Sequence, residues 1–139
     1  MQDGLRLLVE NATLLHTLDL SYTCALSDDH VVALPTNLTA LSLTGCIRSN
    51  VEVSALSRLA SLANLDWSWN ANLDWIPLET MSRLQRLILV GCEVSARDVV
   101  GRLAASPCAT TLEVRAFAHV SMVAFVCPHL FCLETKNRR

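Results

Sequence analysis

The stretch Leu84–Cys92, LQRLILVGC, limits the possible folds of this chain more than any other feature. It has apolar residues at its first, fourth and sixth positions and a cysteine at its ninth. The same frame returns with first residues Leu38 and Leu62, in looser form at Leu15, and in degenerate form at Ala109 and Leu130. The steps between successive first residues are 23, 24, 22, 25 and 21. So regular a period indicates one structural unit stacked repeatedly on itself.

The frame resembles the leucine-rich repeat pattern L-x-x-L-x-L-x-x-N/C. The segments 24–34 and 92–108, which begin with Cys24 and Cys92, also resemble the cysteine-containing subclass, similar in architecture to ribonuclease-inhibitor-like repeats. This resemblance implies an α/β fold, a leucine-rich repeat solenoid forming a short right-handed horseshoe. Its concave side would be a parallel β-sheet of about five to six strands, and its convex side would carry short helices.

The 139 residues suit a single domain, 1–139, with repeat frames starting near 15, 38, 62, 84, 109 and 130. No atypical polar repeat of the kind that seals a solenoid is recognisable at either end. We therefore expect a piece of a longer array, a subunit whose ends a neighbour covers, or a chain that associates end to end.

Composition narrows the classes of partner. Charged residues make up 17% of the chain, against about 25% in typical soluble domains. The net charge is −2, so no overall field favours nucleic acid or an anionic membrane. The apolar run 117–133 contains His119, Pro128 and His129 and follows the repeat register, which argues against a membrane span.

The cysteines bear on the cellular compartment. Cys46 and Cys92 occupy the ninth repeat position, where the chain turns inward and a small apolar group fills the core. We therefore expect buried free thiols, which indicate a reducing, cytoplasmic location.

The outward face of the predicted sheet suggests a binding surface. The residues expected at the fifth repeat position are Asp19, Ser42, Asp66, Ile88, Glu113 and Glu134, with Arg86 and Arg115 at their flanks. Four of the six are acidic, which would favour a basic protein partner and disfavour nucleic acid. The alternative is that strand residues facing solvent are simply polar.

Two aromatic residues share the eighth position, next to the outward seventh position of Ser68. Tyr22 and Trp69 would lie at the rim, where aromatic side chains often anchor partners. Position eight is close to the turn, so Trp69 could also fold inward. Trp67, at the sixth position, should face the core.

The sequence contains little that suggests catalysis or metal binding. Cys127, His129 and Cys132, with His119 as a conceivable fourth ligand, match no standard zinc spacing. Cys24 and His30 are close in sequence but are expected in different environments. No nucleophile elbow, Walker loop or metalloprotease motif occurs, so we expect no enzyme activity, no cofactor and no metal.

Three functions remain open. The first is a non-catalytic protein–protein interaction module presenting an acidic concave sheet to a protein partner. The second is a structural subunit that docks into a larger assembly through open solenoid ends. The third is an inhibitor or regulator that occludes an enzyme, which the ribonuclease-inhibitor resemblance allows.

Overall fold

The structure is a computed structural model, and it describes residues 4, 7, 11–12, 14–23, 26–46, 54–70, 76–92, 101–108 and 112–115. Five short strands are found there: β1 (Thr17–Asp19), β2 (Ala40–Ser42), β3 (Asn64–Asp66), β4 (Arg86–Ile88) and β5 (Glu113–Arg115). The predicted sixth frame, at Leu130, lies outside the described residues, as does the group Cys127, His129 and Cys132.

The strands form one parallel sheet in the order β1-β2-β3-β4-β5, the same as their order in the chain. The central residue of each strand is aligned with those of its neighbours and buried; these residues are Leu18, Leu41, Leu65, Leu87 and Val114. Since side chains alternate along a strand, the residues on either side point to the opposite face. The predicted leucine-rich repeat solenoid is confirmed.

In the described part of the chain, short helical segments lie on the convex side. A helix spans Asp28–Ala33 and begins at Ser27, whose amide donates to His30 Nδ1 at 3.0 Å. A 3-10 helix spans Ser54–Arg58, and residues 101–104 are helical. Each of these elements contributes a buried leucine or valine to the hydrophobic core, namely Val31, Leu56 and Leu103. Burial of such a side chain contributes about 1.5–3 kcal/mol to folding.

A second row of contacts joins neighbouring repeats just beyond the strands. We call Thr23, Cys46, Asn70 and Cys92, the ninth-position residues, the inner row. The Cys46 and Cys92 side chains lie at hydrogen-bonding distance from the carbonyl oxygens of Leu20 and Trp67, each in the preceding repeat. Asn70 Nδ2 donates to the Leu43 carbonyl at 2.8 Å and to its own repeat's Trp67 carbonyl at 3.1 Å. The inner row thus satisfies buried carbonyls where the chain leaves the sheet.

Burial of the inner-row cysteines agrees with the prediction for Cys46 and Cys92, and both are free thiols. Burial raises the pKa of the Cys92 thiol above its ordinary value of 9.0, and the negative charge of Asp66 acts in the same direction. At neutral pH this thiol is therefore protonated. It can donate its hydrogen bond to the Trp67 carbonyl.

The fifth repeat lies in a different register from the predicted one. The frame starting at Ala109 places Val114 at the sixth position, but Val114 pairs with Leu87, a fourth-position residue. Glu113 therefore lies beside Arg86 in the third-position row, and Arg115 takes the fifth position beside Ile88. A shift of two residues keeps every side chain on its own face, so the apolar alternation of Leu112 and Val114 fits both registers.

Candidate interaction surface

The corrected register changes which charged residues lie in the fifth-position row of the concave face. The fifth-position row reads Asp19, Ser42, Asp66, Ile88, Arg115 along the sheet. Two of these five described residues are acidic and one is basic. The prediction that Glu113 belongs to this row is wrong, because Glu113 lies beside Arg86 in the third-position row. Glu134, the sixth member predicted, lies outside the described residues. Within the described strands, the negative charges of the fifth-position row are those of the first and third repeats.

The third-position row carries an ion pair at its C-terminal end. Arg86 Nε donates to Glu113 Oε2 at 3.3 Å, and both side chains are partly exposed. The pair partly neutralises Glu113, which the sequence had suggested as a contact for a basic partner. Arg86 and Glu113 thus form a mixed, nearly neutral patch. The Arg115 side chain lies outside the described part of the chain.

Asp19 and Asp66 are held in the same way in their two repeats. Asp19 Oδ1 accepts the Ser21 amide at 2.8 Å, and Asp66 Oδ1 accepts the Ser68 amide at 2.9 Å. Hydrogen bonds from the side chain and backbone of Ser21, with a smaller one from Ser42, hold the pKa of Asp19 below its ordinary value of 3.8. The Asp19 carboxylate is therefore ionised at neutral pH. Its charge faces solvent, since the residue is exposed.

Hydroxyl groups connect the first two repeats between the acidic residues and the rim. Ser21 Oγ lies 2.6 Å from Ser42 Oγ, which lies 3.3 Å from Thr44 Oγ1. Ser68, at the equivalent place in the third repeat, is only 4% exposed, and its hydroxyl accepts the Val90 amide at 3.1 Å. The prediction that Ser68 is an accessible contact residue is wrong, because its side chain supports the adjacent turn.

The rim of the sheet is formed by the eighth-position residues Tyr22, Gly45, Trp69 and Gly91, which we call the rim row. All four have positive φ, at 54°, 63°, 57° and 70°. Residues 20–23, 43–46 and 89–92 each close with a hydrogen bond from the fourth residue's amide to the first residue's carbonyl. Positive φ at the third residue of such a turn favours glycine or asparagine. Tyrosine and tryptophan are unusual there.

The two aromatic rings point outward. Tyr22 is 70% exposed and Trp69 is 60% exposed, whereas Trp67, two residues before Trp69, is fully buried. The prediction of a rim aromatic is therefore confirmed in its placement, and the inward alternative for Trp69 is wrong. Trp67 faces the core as predicted.

Each ring lies over the glycine of the next repeat. A Cβ added to Gly91 would come within 2.5 Å of the Trp69 ring, and one added to Gly45 would lie 3.0 Å from the Tyr22 ring. Ring and glycine thus alternate along the rim, and each glycine leaves the space that the neighbouring ring fills. The positions of the two aromatic residues were predicted from the sequence. Their alternation with glycine was not predicted, although Gly45 and Gly91 at position eight were a visible signal of it.

The described part of the chain offers no group of three or more His, Cys, Asp and Glu side chains that could hold a metal ion. Within the same residues, no helix is long and apolar enough to cross a membrane. Cys24, which the sequence placed near His30, lies outside the described residues. Among the described residues, this surface presents exposed rings, carboxylates, hydroxyls and the Arg86 guanidinium.

The fold and its outward rows define a leucine-rich repeat solenoid with a partly aromatic rim. Among solved structures, the chain is similar to an internalin from Listeria monocytogenes, with a TM-score of 0.55 and 22% sequence identity. The match covers 78% of this chain and 30% of the internalin chain. No protein-family model matches the sequence, and no curated protein does. The likeness agrees with the fold and leaves the repeat subclass open.

Proposed function

We propose that this chain is a non-catalytic protein–protein interaction module that binds a protein partner through the N-terminal part of its concave sheet and the adjoining rim. Its contact residues are Asp19, Tyr22, Asp66 and Trp69, with the mixed patch of Arg86 and Glu113 and the residue Arg115 at the margin. We take residues 1–139 as one domain. We propose a location in the reducing cytoplasm because Cys46, Cys92 and Cys108 are free thiols.

This proposal rests on the exposure of two large aromatic rings, Tyr22 and Trp69, at turns that require no side chain. Gly45 and Gly91 form the same turn without a side chain, so the turn itself requires neither Tyr22 nor Trp69. Exposed tryptophan and tyrosine are the residues that most often dominate protein interfaces. They contribute a large contact area with few rotatable bonds to order.

The test compares the parent with a Tyr22→Gly, Trp69→Gly variant in affinity capture from the cells that make the protein. Glycine is the residue of the other two rim turns, so the variant should keep the fold, which circular dichroism would check. The matched control is Val32→Ala, because Val32 is a 51% exposed apolar residue on the convex helix. We expect specific partners to be lost with the glycine variant and kept with the control.

Partners kept by the glycine variant would contradict the proposal. Such a result would favour the second hypothesis, a structural subunit held by other parts of the solenoid. The third, occlusion of an enzyme, would be recognised if the captured protein is an enzyme whose activity the parent chain lowers and the glycine variant does not.

A further inference from the structure

The same four-residue unit occurs in the first and third repeats. Asp19-Leu20-Ser21-Tyr22 and Asp66-Trp67-Ser68-Trp69 both have an aspartate at position five, a serine at seven and an aromatic ring at eight. The second and fourth repeats have Ser42 and Ile88 at position five and glycine at eight. In these four repeats, ring and carboxylate are present together or absent together. We call the two segments the acid–aromatic units.

We propose that each acid–aromatic unit binds one cationic side chain, so that the partner is a basic protein segment presenting two lysine or arginine residues about 10 Å apart. This inference rests on the proposed function and specifies the chemistry of the partner. It gives the two aromatic rings a role in binding as well as the two carboxylates.

The aromatic ring and the carboxylate of a unit can both bind the same cationic side chain. An ammonium or guanidinium group is attracted both to the face of an aromatic ring and to a carboxylate. One oxygen of each carboxylate is held by the serine amide, which fixes the side chain in place. The ring follows three residues later, at the turn that ends the same strand, with most of its surface open to solvent.

Charge complementarity favours a cation over a neutral ligand. Within the part of the chain that the structure describes, Asp19 and Asp66 form no ion pair, whereas Arg86 is engaged by Glu113. A basic side chain from a partner would supply the missing positive charge at both places. Asp19 is exposed and Asp66 is half-buried, so the penalty for desolvating the charge is smaller at Asp19 than at Asp66.

The sheet sets the distance between the two units. β1 and β3 are separated by β2 alone, and their residues are in register. Adjacent strands lie about 4.8 Å apart, so equivalent groups of the first and third repeats lie about 10 Å apart. In a polyproline II segment, residues i and i+3 lie on one face about 9 Å apart. Residues i and i+2 of a β-strand are closer, at about 7 Å.

A peptide titration followed by NMR on the full chain tests the proposal. The probe is a short peptide with the core Arg-Pro-Pro-Arg, and its controls replace both arginines with the neutral isostere citrulline or with glutamate. The reporters are the Ser21 and Ser68 amides, the Tyr22 amide and the Trp69 indole N–H, with Val32 as a convex-side reference. We expect the arginine peptide to shift all four reporters, both controls to bind at least tenfold more weakly, and Val32 not to move.

Single variants separate the contributions of ring and charge. Asp19→Asn and Asp66→Asn keep an oxygen that can accept the serine amide, so the local structure should survive. We expect each of these changes, and each of Tyr22→Gly and Trp69→Gly, to weaken binding roughly three- to fivefold, as for exposed ionic and cation–π contacts. A peptide with the two arginines adjacent should bind roughly ten- to 25-fold more weakly, because it can engage only one unit and loses both the ring and the carboxylate of the other.

Four results would overturn this inference. The first is no shift of the reporters with the arginine peptide, and the second is equal binding of the citrulline peptide. The third is unchanged binding in both asparagine variants. The fourth is binding of a neutral oligosaccharide at the same reporters with greater affinity than the arginine peptide. If protein capture still depends on Tyr22 and Trp69 in that case, the proposed function survives while the basic partner is rejected.

Discussion

The rim row and the inner row consist of neighbouring residues in the same turns, yet they are under different constraints. The rim row alternates between exposed aromatic rings and glycine. The inner row consists of small polar or thiol side chains near main-chain carbonyls, and three of its four members are buried. In the inner row the fold requires a small side chain that can form a hydrogen bond with a main-chain carbonyl. In the rim row the fold requires only a positive φ, so the side chain is free to serve another role.

The geometry of the turns explains this difference. An inner-row side chain lies at the end of the sheet, where it adds a hydrogen-bond donor to a main-chain carbonyl. A rim-row side chain leaves the turn toward solvent, so no buried group depends on it. Four predictions, in order of decreasing effect, test how far this division holds.

Thiol accessibility gives the largest expected effect. Cys46 and Cys92 are buried in the inner row, and the raised pKa of Cys92 further disfavours the reactive thiolate. A thiol reagent should label both residues at least about a thousand times more slowly in the native chain than in denaturant, since labelling requires opening of the core. Mass spectrometry of peptides from timed samples would measure this. Rapid native labelling of both would show that the repeat register is wrong.

Loss of the inner-row amide should destabilise the chain most among single substitutions. Asn70→Ala removes the donor shared by the Leu43 and Trp67 carbonyls. We expect the free energy of unfolding to fall by about 2 kcal/mol, since each of the two buried carbonyls loses one hydrogen bond while keeping the donor from the Cys46 amide or the Cys92 thiol. Urea denaturation would measure it, with Asn64→Ala on the concave face as the control. A loss no larger than the control's would mean that the inner row is dispensable.

Adding a methyl group to a rim glycine should lower the free energy of unfolding less than Asn70→Ala does, by an amount that depends on the neighbouring ring. Gly91→Ala places a Cβ against Trp69 at a residue with φ of 70°. We expect a loss of about 1–2 kcal/mol from the positive φ and the displaced ring. In a Trp69→Gly background the loss should shrink toward the backbone contribution alone, about 1 kcal/mol. Equal losses in both backgrounds would show that the ring does not rest on this glycine.

The ion pair at the C-terminal end of the sheet should give the smallest effect, and it tests the corrected register. A double-mutant cycle with Arg86→Gln and Glu113→Gln should yield a coupling of about 0.2–1 kcal/mol, typical of an exposed pair. Salt should reduce it. In the register expected from the sequence, Glu113 would not lie beside Arg86. A coupling of zero at low salt would therefore favour that register.

Sequence alone predicted the first four repeats well because leucine spacing and strand alternation select the same frame there. Leu38, Leu62 and Leu84 are all buried, and the strands that follow them pair as the frame requires. The fifth repeat was misplaced because its weak frame, at Ala109, competed with one two residues later. Both put Leu112 and Val114 inside, so only backbone pairing distinguishes them.

The candidate surface was predictable in part. Positions five and eight could be assigned to the face and rim by counting, which located Asp19, Asp66, Tyr22 and Trp69. The burial of Ser68 could not be foreseen, because it depends on the Val90 amide of the next repeat. The pairing of Glu113 with Arg86 likewise depends on contacts between repeats, and a one-dimensional frame does not contain them.

The alternation of ring and glycine gives the rim a period of two repeats, twice that of the core. A deletion of one repeat would leave the leucine frame intact but would bring Tyr22 next to Trp69, or Gly45 next to Gly91. In the first case a ring would meet a side chain in place of a glycine, and in the second a gap would open at the surface. A solenoid of this kind can therefore be lengthened or shortened without damage to its rim only by whole pairs of repeats.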